Sequence, residues 1–189
     1  MSTPLTRARE RERIRVMREV SATAVRMFDE SGFDAVRMED VARATGVSVA
    51  TLYRRFSTKE NLVCWQVDEE VGMATLRAAV ASGTPVRSAA VALAQDLPDD
   101  AVDEIESTAR IRVGLIAGHA ALRSAARQKA EAFVDEILAA AAPHDDRPLL
   151  EREVEVRCVA AAMDAANRAW LRDEGTLRAC VLRALAALP

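Results

Sequence analysis

The most concentrated chemistry of this chain stands in one short run, Ser48 to Lys59, SVATLYRRFSTK. It holds adjacent arginines (Arg54, Arg55), a tyrosine (Tyr53), hydroxyls at Ser48, Thr51, Ser57 and Thr58, and Lys59. Guanidinium groups bind guanine edges and phosphate oxygens through paired donors, and hydroxyls and phenols reach phosphates, so the chemistry to expect is recognition of a polyanion. On a helix over 49–56, Leu52 and Phe56 form an i, i+4 pair that faces a core. Ala50, Thr51, Tyr53, Arg54 and Arg55 then face outward.

The preceding residues position that helix. Ala42 is small where two crossing helices need close contact, and Gly46, four residues on, can take the positive φ of a tight interhelical turn. Val47 anchors the turn, Ser48 is an N-cap, and Leu52 points into the same core. This spacing describes a helix-turn-helix, with the alternative of a generic helical hairpin left open. Ser57-x-x-Glu60 reads as a capping box that starts a fourth helix, whose first amides, with Lys59, would seat a phosphate. The periodicity predicts helices over about 6–31, closed by Gly32 with Phe33 packing back, then 38–45, 49–56 and 57–80. Beyond SGTP (82–85), helices follow near 85–96, 100–118, 121–142, 149–172 and 175–188, with breaks at LPDD (97–100) and APHDDRP (142–148).

The composition agrees with an all-α fold: an N-terminal helix-turn-helix head of three helices and a larger α-helical body. Alanine supplies 38 of 189 residues while aromatics make up 4%, and alanine is the best helix former. The net charge of −3 conceals an asymmetry: residues 1–60 carry 12 Lys+Arg against 9 Asp+Glu, and the remainder is net −6. A basic head on an acidic body suggests a nucleic-acid partner. Cys64, Cys158 and Cys180 are odd in number and show no CxxC, as expected of reduced thiols. With no apolar leader in MSTPLTRARERERIR and no membrane-length apolar run, a soluble cytoplasmic protein with no membrane partner is expected.

No HExxH, GxSxG, GxGxxG or P-loop occurs, so no enzyme, no cofactor and no metal is expected. His144-Asp145-Asp146 is read as a solvated turn in preference to a metal site. The rival reading is a helical interaction or scaffold protein that binds no DNA.

The segment from Gly32 to Val63, GFDAVRMEDVARATGVSVATLYRRFSTKENLV, preceded by Met27-Phe28, resembles the DNA-binding head of the TetR family of bacterial repressors. The resemblance implies a cytoplasmic homodimer on a palindromic double-stranded operator, with domains over 1–57 and 58–189 and a small-molecule effector in the second. Carried over by position, Ser48, Thr51, Tyr53, Arg54 and Arg55 become DNA contacts and Lys59 a phosphate contact. Two departures stand out. Arg37 occupies a position where the family often has Thr or Ser to cap the second helix. It lacks an acceptor, so either that cap is lost, at about 1 kcal/mol, or Arg37 reaches a phosphate. Val49 and Ala50 replace residues that are often Lys, Arg or Gly, and as small apolar groups they suit thymine methyls. The arm RARERERIRVMR, with six arginines between residues 7 and 18, either lies along phosphates or pairs locally with Glu10 and Glu12.

Two further sets of residues complete the expectations. The last two helices would form half of a four-helix dimer interface through Leu150, Val154, Cys158, Ala162, Ala165, Leu177, Val181 and Leu185. The body is similar to that of TetR members that bind acyl-CoA-like ligands. This implies a largely apolar effector, with Arg110, Arg112 (or Arg123) on phosphates and Leu115, His119, Phe133, Ile137, Met163 and Asn167 around it.

Overall fold

Helix formation here follows the apolar period of the sequence. The computed structural model describes the backbone of residues 4–64, 67–97 and 103–189, and the side chains of 12–64, 72–97 and 107–189. Within these, the chain forms α1 (Pro4–Ser31), α2 (Met38–Thr45), α3 (Val49–Phe56), α4 (Lys59–Cys64), α5 (Val67–Ala81), α6 (Val86–Gln95), α7 (Asp103–Gly118), α8 (Ala120–Ala141), α9 (Leu149–Leu171) and α10 (Leu177–Ala186). No strand occurs among the described residues. The predicted all-α fold is thus observed, with α2 and α3 on their predicted bounds. Most of the LPDD break lies outside the described residues, as do residues 65 and 66 within the long fourth helix expected over 57–80.

The start of that fourth helix differs from expectation. Ser57 closes α3 with φ 61° and ψ −46°. The Thr58 N–H donates back to the Phe56 carbonyl at 2.6 Å, which makes 56–58 a γ-turn with a strained non-glycine centre. Thr58, one residue later, is the side chain that caps α4, accepting from the Asn61 N–H at 3.3 Å. The Asn61 amide donates in turn to the Phe56 carbonyl at 2.7 Å, satisfying an acceptor at the end of α3. The Ser57–Glu60 box does not form, because Ser57 is spent on the corner itself.

By contact, the chain divides into two compact units, residues 1–69 with 104–126, and residues 70–103 with 127–189. The first has a core of Met17, Val20, Ala24 and Phe28 from α1, Phe33 and Val36 from the turn, Met38, Val41 and Ala42 from α2, Leu52 and Phe56 from α3, Leu62 and Val63 from α4, and Leu122 from α8. Leu115 and Ile116 of α7 pack against it. Gly32 ends α1 with φ 87°, and Phe33 folds back edge-on to Phe28 at 5.1 Å between ring centres, as the sequence predicts. In the second unit α9 packs along α10, with α6 against both. Val156, Val159, Ala162, Ala166 and Trp170 meet Cys180, Val181 and Leu185 in its interior.

The first unit contains a buried arginine. Arg112 of α7 is only 6% exposed, and its Nη1 donates to the Val63 carbonyl at 2.6 Å and to Ser21 Oγ at 3.1 Å. Ser21 Oγ itself donates to the Leu62 carbonyl at 2.8 Å. The Leu62 and Val63 carbonyls of α4 are therefore bonded by side chains from α1 and α7. A fixed guanidinium fork supplies several donors there.

Gly46 joins α2 to α3 at φ 69°, and a Cβ built on it would meet nothing within 4 Å. The cost of a side chain is thus confined to backbone conformation. Gly46→Ala should lower the free energy of unfolding by about 1 kcal/mol, and Gly46→Asn, which tolerates the left-handed region, by less. Urea denaturation of the two variants beside wild type measures the difference.

Candidate nucleic-acid interface

The recognition helix is α3, and its rotation is set from inside. Leu52 is fully buried, Phe56 nearly so, and Val49 is half-buried against the same core. At about 100° per residue, the direction opposite these three is occupied by Arg54, with Ala50 and Thr51 nearest to it. Tyr53 and Arg55 fall on the two flanks. Tyr53 is 48% exposed, high for a large aromatic side chain, and Arg54, Arg55 and Ala50 are exposed.

The N-terminus of α3 is ordered by its own hydroxyls. Ser48 Oγ accepts from the Thr51 N–H at 3.2 Å, the predicted N-cap, and donates to Thr51 Oγ1 at 2.9 Å. Arg54 Nη2 also donates to Thr51 Oγ1, at 3.3 Å. Of the sequence-predicted DNA residues, Ser48, Ala50, Tyr53, Arg54 and Arg55 are exposed and Thr51 is half-buried among them. Val49 stands apart, since it packs inward as the residue three before Leu52 and seven before Phe56.

Arg37 sits at the N-cap of α2 with an extended backbone, φ −103° and ψ 163°, and its exposed side chain makes no cap bond. Asp40, at the third helical position, accepts from the Arg37 N–H at 3.0 Å and pairs with Arg43 at 3.1 Å. The Arg37 amide, and secondarily the Arg43 guanidinium, hold the Asp40 carboxyl below its ordinary range. One arm of a capping box is thus present, and it places an acidic group in the first turn where the helix dipole favours it.

Lys59 is half-buried. Its Nζ lies 4.2 Å from the Phe33 ring centre and 5.6 Å from that of Phe28, a cation–π seat of about 0.5–1 kcal/mol. His119, at the junction of α7 and α8, packs on Phe33 at 4.6 Å between ring centres. Its Nε2 lies 3.3 Å from Asp34 Oδ1. In the arm, Arg15 pairs with Glu12 and Glu19, and the side chains of residues 7–11 lie outside those described.

The expected effector residues are divided between the units. Arg110, Arg112, Leu115 and His119 belong to the first, and Phe133, Ile137, Met163 and Asn167 to the second. Arg112 is committed to the Val63 carbonyl and Ser21, Leu115 to the head core and His119 to the turn after α1. Arg123 donates to the Ala117 carbonyl at 2.6 Å. In the second unit Ile137 is fully buried, with Phe133, Met163 and Asn167 half-buried. An open groove along α5, lined by Ala74, Thr75, Ala78, Ala79 and Ser82, includes none of the expected residues.

The expected dimer residues also divide. Ala162, Val181 and Leu185 are interior to their own unit. Leu150 (72% exposed) and Val154 (53%) face solvent, Ala165 is exposed, and Cys158 and Leu177 are half-buried. In the loop before α9, Arg147 donates to both oxygens of Asp145 and to Glu155. Among the described residues no cluster of three His, Cys, Asp or Glu is placed to hold a metal.

A basic, outward-facing second helix in a glycine-turned pair, backed by α1 and α4, defines a helix-turn-helix DNA-binding protein. Residues 21–63 match the family model of bacterial regulatory proteins, tetR family, a stretch that holds α2 and α3. No curated protein matches the chain. Among the solved structures similar to this chain are two regulators. The TetR family transcriptional regulator PfmR from Thermus thermophilus is 20% identical, covering 88% of this chain and 94% of its own, with a TM-score of 0.43. A putative TetR-family transcriptional regulator from Mesorhizobium loti is 17% identical, covering 92% and 94%, with a TM-score of 0.36.

Two measurements test this geometry. Lys59→Ala should lower the slope of log affinity against log salt by about 1, the change expected when one phosphate is no longer neutralised; an unchanged slope leaves the ammonium on Phe33 in the complex. Arg147 holds the Asp145 carboxyl down to about 2 from 3.8. The pairing is therefore fully present above pH 3.8 and disappears as pH falls through about 2. A carboxyl NMR titration should find that low midpoint, and Arg147→Ala should return it toward 3.8.

Proposed function

We propose that the chain is a transcriptional repressor that binds a palindromic operator as a homodimer in the cytoplasm and leaves it when a small, largely apolar molecule binds. The observation that carries DNA binding is the outward face of α3, where Ala50, Thr51, Tyr53, Arg54 and Arg55 are held in place by the burial of Leu52 and Phe56. The tetR-family match over residues 21–63 supports the regulatory role. A domain division near residue 57 is part of this reading, with the DNA contacts on one side and effector binding and pairing on the other.

The dimer surface is a stripe on α9. Leu150, Val154, Cys158, Ala161 and Ala165 recur at helical spacing on one face. Leu150 and Val154 are among the few large apolar residues left exposed. Small residues further along the stripe allow a second helix to approach closely. Burying Ala162, Val181 and Leu185 within each copy gives that stripe a firm backing. The effector is assigned to the second unit, where Phe133, Ile137 and Met163 supply apolar surface and Asn167 a polar group. Release follows if the effector binds better to the form that grips DNA less well, by that difference in affinity.

Footprinting of the protein on DNA flanking its own gene tests the whole reading. A protected palindrome is expected, with protection abolished on adding an effector identified by thermal-shift screening. Leu150→Glu combined with Val154→Glu should convert the dimer to monomer in sedimentation equilibrium while helical content is retained. A variant that stays dimeric places the interface elsewhere.

A further inference from the structure

The outward face of α3 has an internal order that assigns different tasks to its residues. Arg54 lies opposite the buried Leu52 and Phe56 and the half-buried Val49, so it is the side chain that projects furthest along the axis of approach. Tyr53 and Arg55 lie on the flanks, where a helix seated in a major groove meets the two phosphate walls. The hydroxyls add direction. Thr51 Oγ1 accepts from Ser48 Oγ at 2.9 Å and from Arg54 Nη2 at 3.3 Å, which uses both of its acceptor sites. Ser48 Oγ is itself fixed by the Thr51 N–H. The Arg54 guanidinium is thereby tied to the helix N-cap through one nitrogen, with its other donors free to form the paired bonds that fit O6 and N7 of guanine. Ala50, beside it, is short enough to let the groove floor come close.

We infer that Arg54 reads a guanine in each half-site, that Thr51 is the positioning residue that fixes its guanidinium, and that Tyr53 and Arg55 contact phosphate without reading sequence. This assignment rests on the DNA-binding reading above and deepens it. It separates two arginines that are adjacent in sequence and equivalent in composition.

The test is selection of bound sites from a random double-stranded DNA pool by full-length wild type and by variants. Wild type should enrich a half-site with one invariant guanine. Arg54→Ala should lose preference at that position alone, and Arg55→Ala should weaken binding to all sequences alike while keeping it. Thr51→Val, which keeps the shape and removes the hydroxyl, should reduce the guanine preference, and Thr51→Ser should restore it. Replacing that guanine by 7-deazaguanine should weaken wild-type binding by about tenfold to a hundredfold and leave Arg54→Ala unaffected. Loss of preference in Arg55→Ala instead of Arg54→Ala overturns the assignment, as does full discrimination by Thr51→Val. A wild-type chain that enriches no sequence overturns the DNA-binding reading and this assignment together.

Discussion

The burial of Leu52 and Phe56 is the constraint on which the rest of the head depends. Both side chains reach the same core from one eight-residue helix, so α3 has one rotational setting and its arginines have one direction. Burying two large apolar groups contributes about 1.5–3 kcal/mol each, more than solvent-screened surface ion pairs supply. Val49 joins the same anchorage, and Gly46 and Ser57 bring the chain in and out of the helix. Charge placement is therefore a consequence of apolar packing. The acidic total of the chain has no bearing on the face that α3 presents.

The same logic explains Arg112. A guanidinium this deeply buried needs strong acceptors. Val63 and Ser21 receive its donors, and Ser21 passes a bond on to Leu62. In sequence, Arg112 is one arginine among 24 and looks available to a phosphate. Its partners lie 49 and 91 residues away. No local pattern reveals such a contact, and the expectation of a ligand role came from the body's resemblance to members that bind acyl-CoA-like ligands.

Much of the fold was legible because helices state themselves in period and punctuation. α2 and α3 were placed on their bounds, and Gly32, Gly46 and Ser48 were each assigned the role they have. What was not legible was set by geometry between elements. Ser57 has the residue type of an N-cap, yet it is used as a turn centre, because the corner needs its backbone more than α4 needs its hydroxyl. Val49 looked available to thymine methyls until the orientation of α3 turned it inward. On α9 and α10, sequence separates apolar from polar but cannot say which apolar face meets its own unit. Ala162 and Val181 proved interior, and Leu150 and Val154 did not.

The corner at Ser57 has a consequence for the entropy of recognition. A γ-turn with a positive φ admits little torsional play, and Asn61 locks the same corner from the other side by holding the Phe56 carbonyl. The C-terminal end of α3 is thus closed as firmly as its N-terminal end is capped. Freedom that a looser hairpin would surrender on docking has already been given up during folding, so less of the contact energy is consumed in ordering the reader. The strain in one backbone torsion pair is the counterpart of that rigidity: the corner is less stable than a relaxed one, and the surface it holds arrives at its target already shaped.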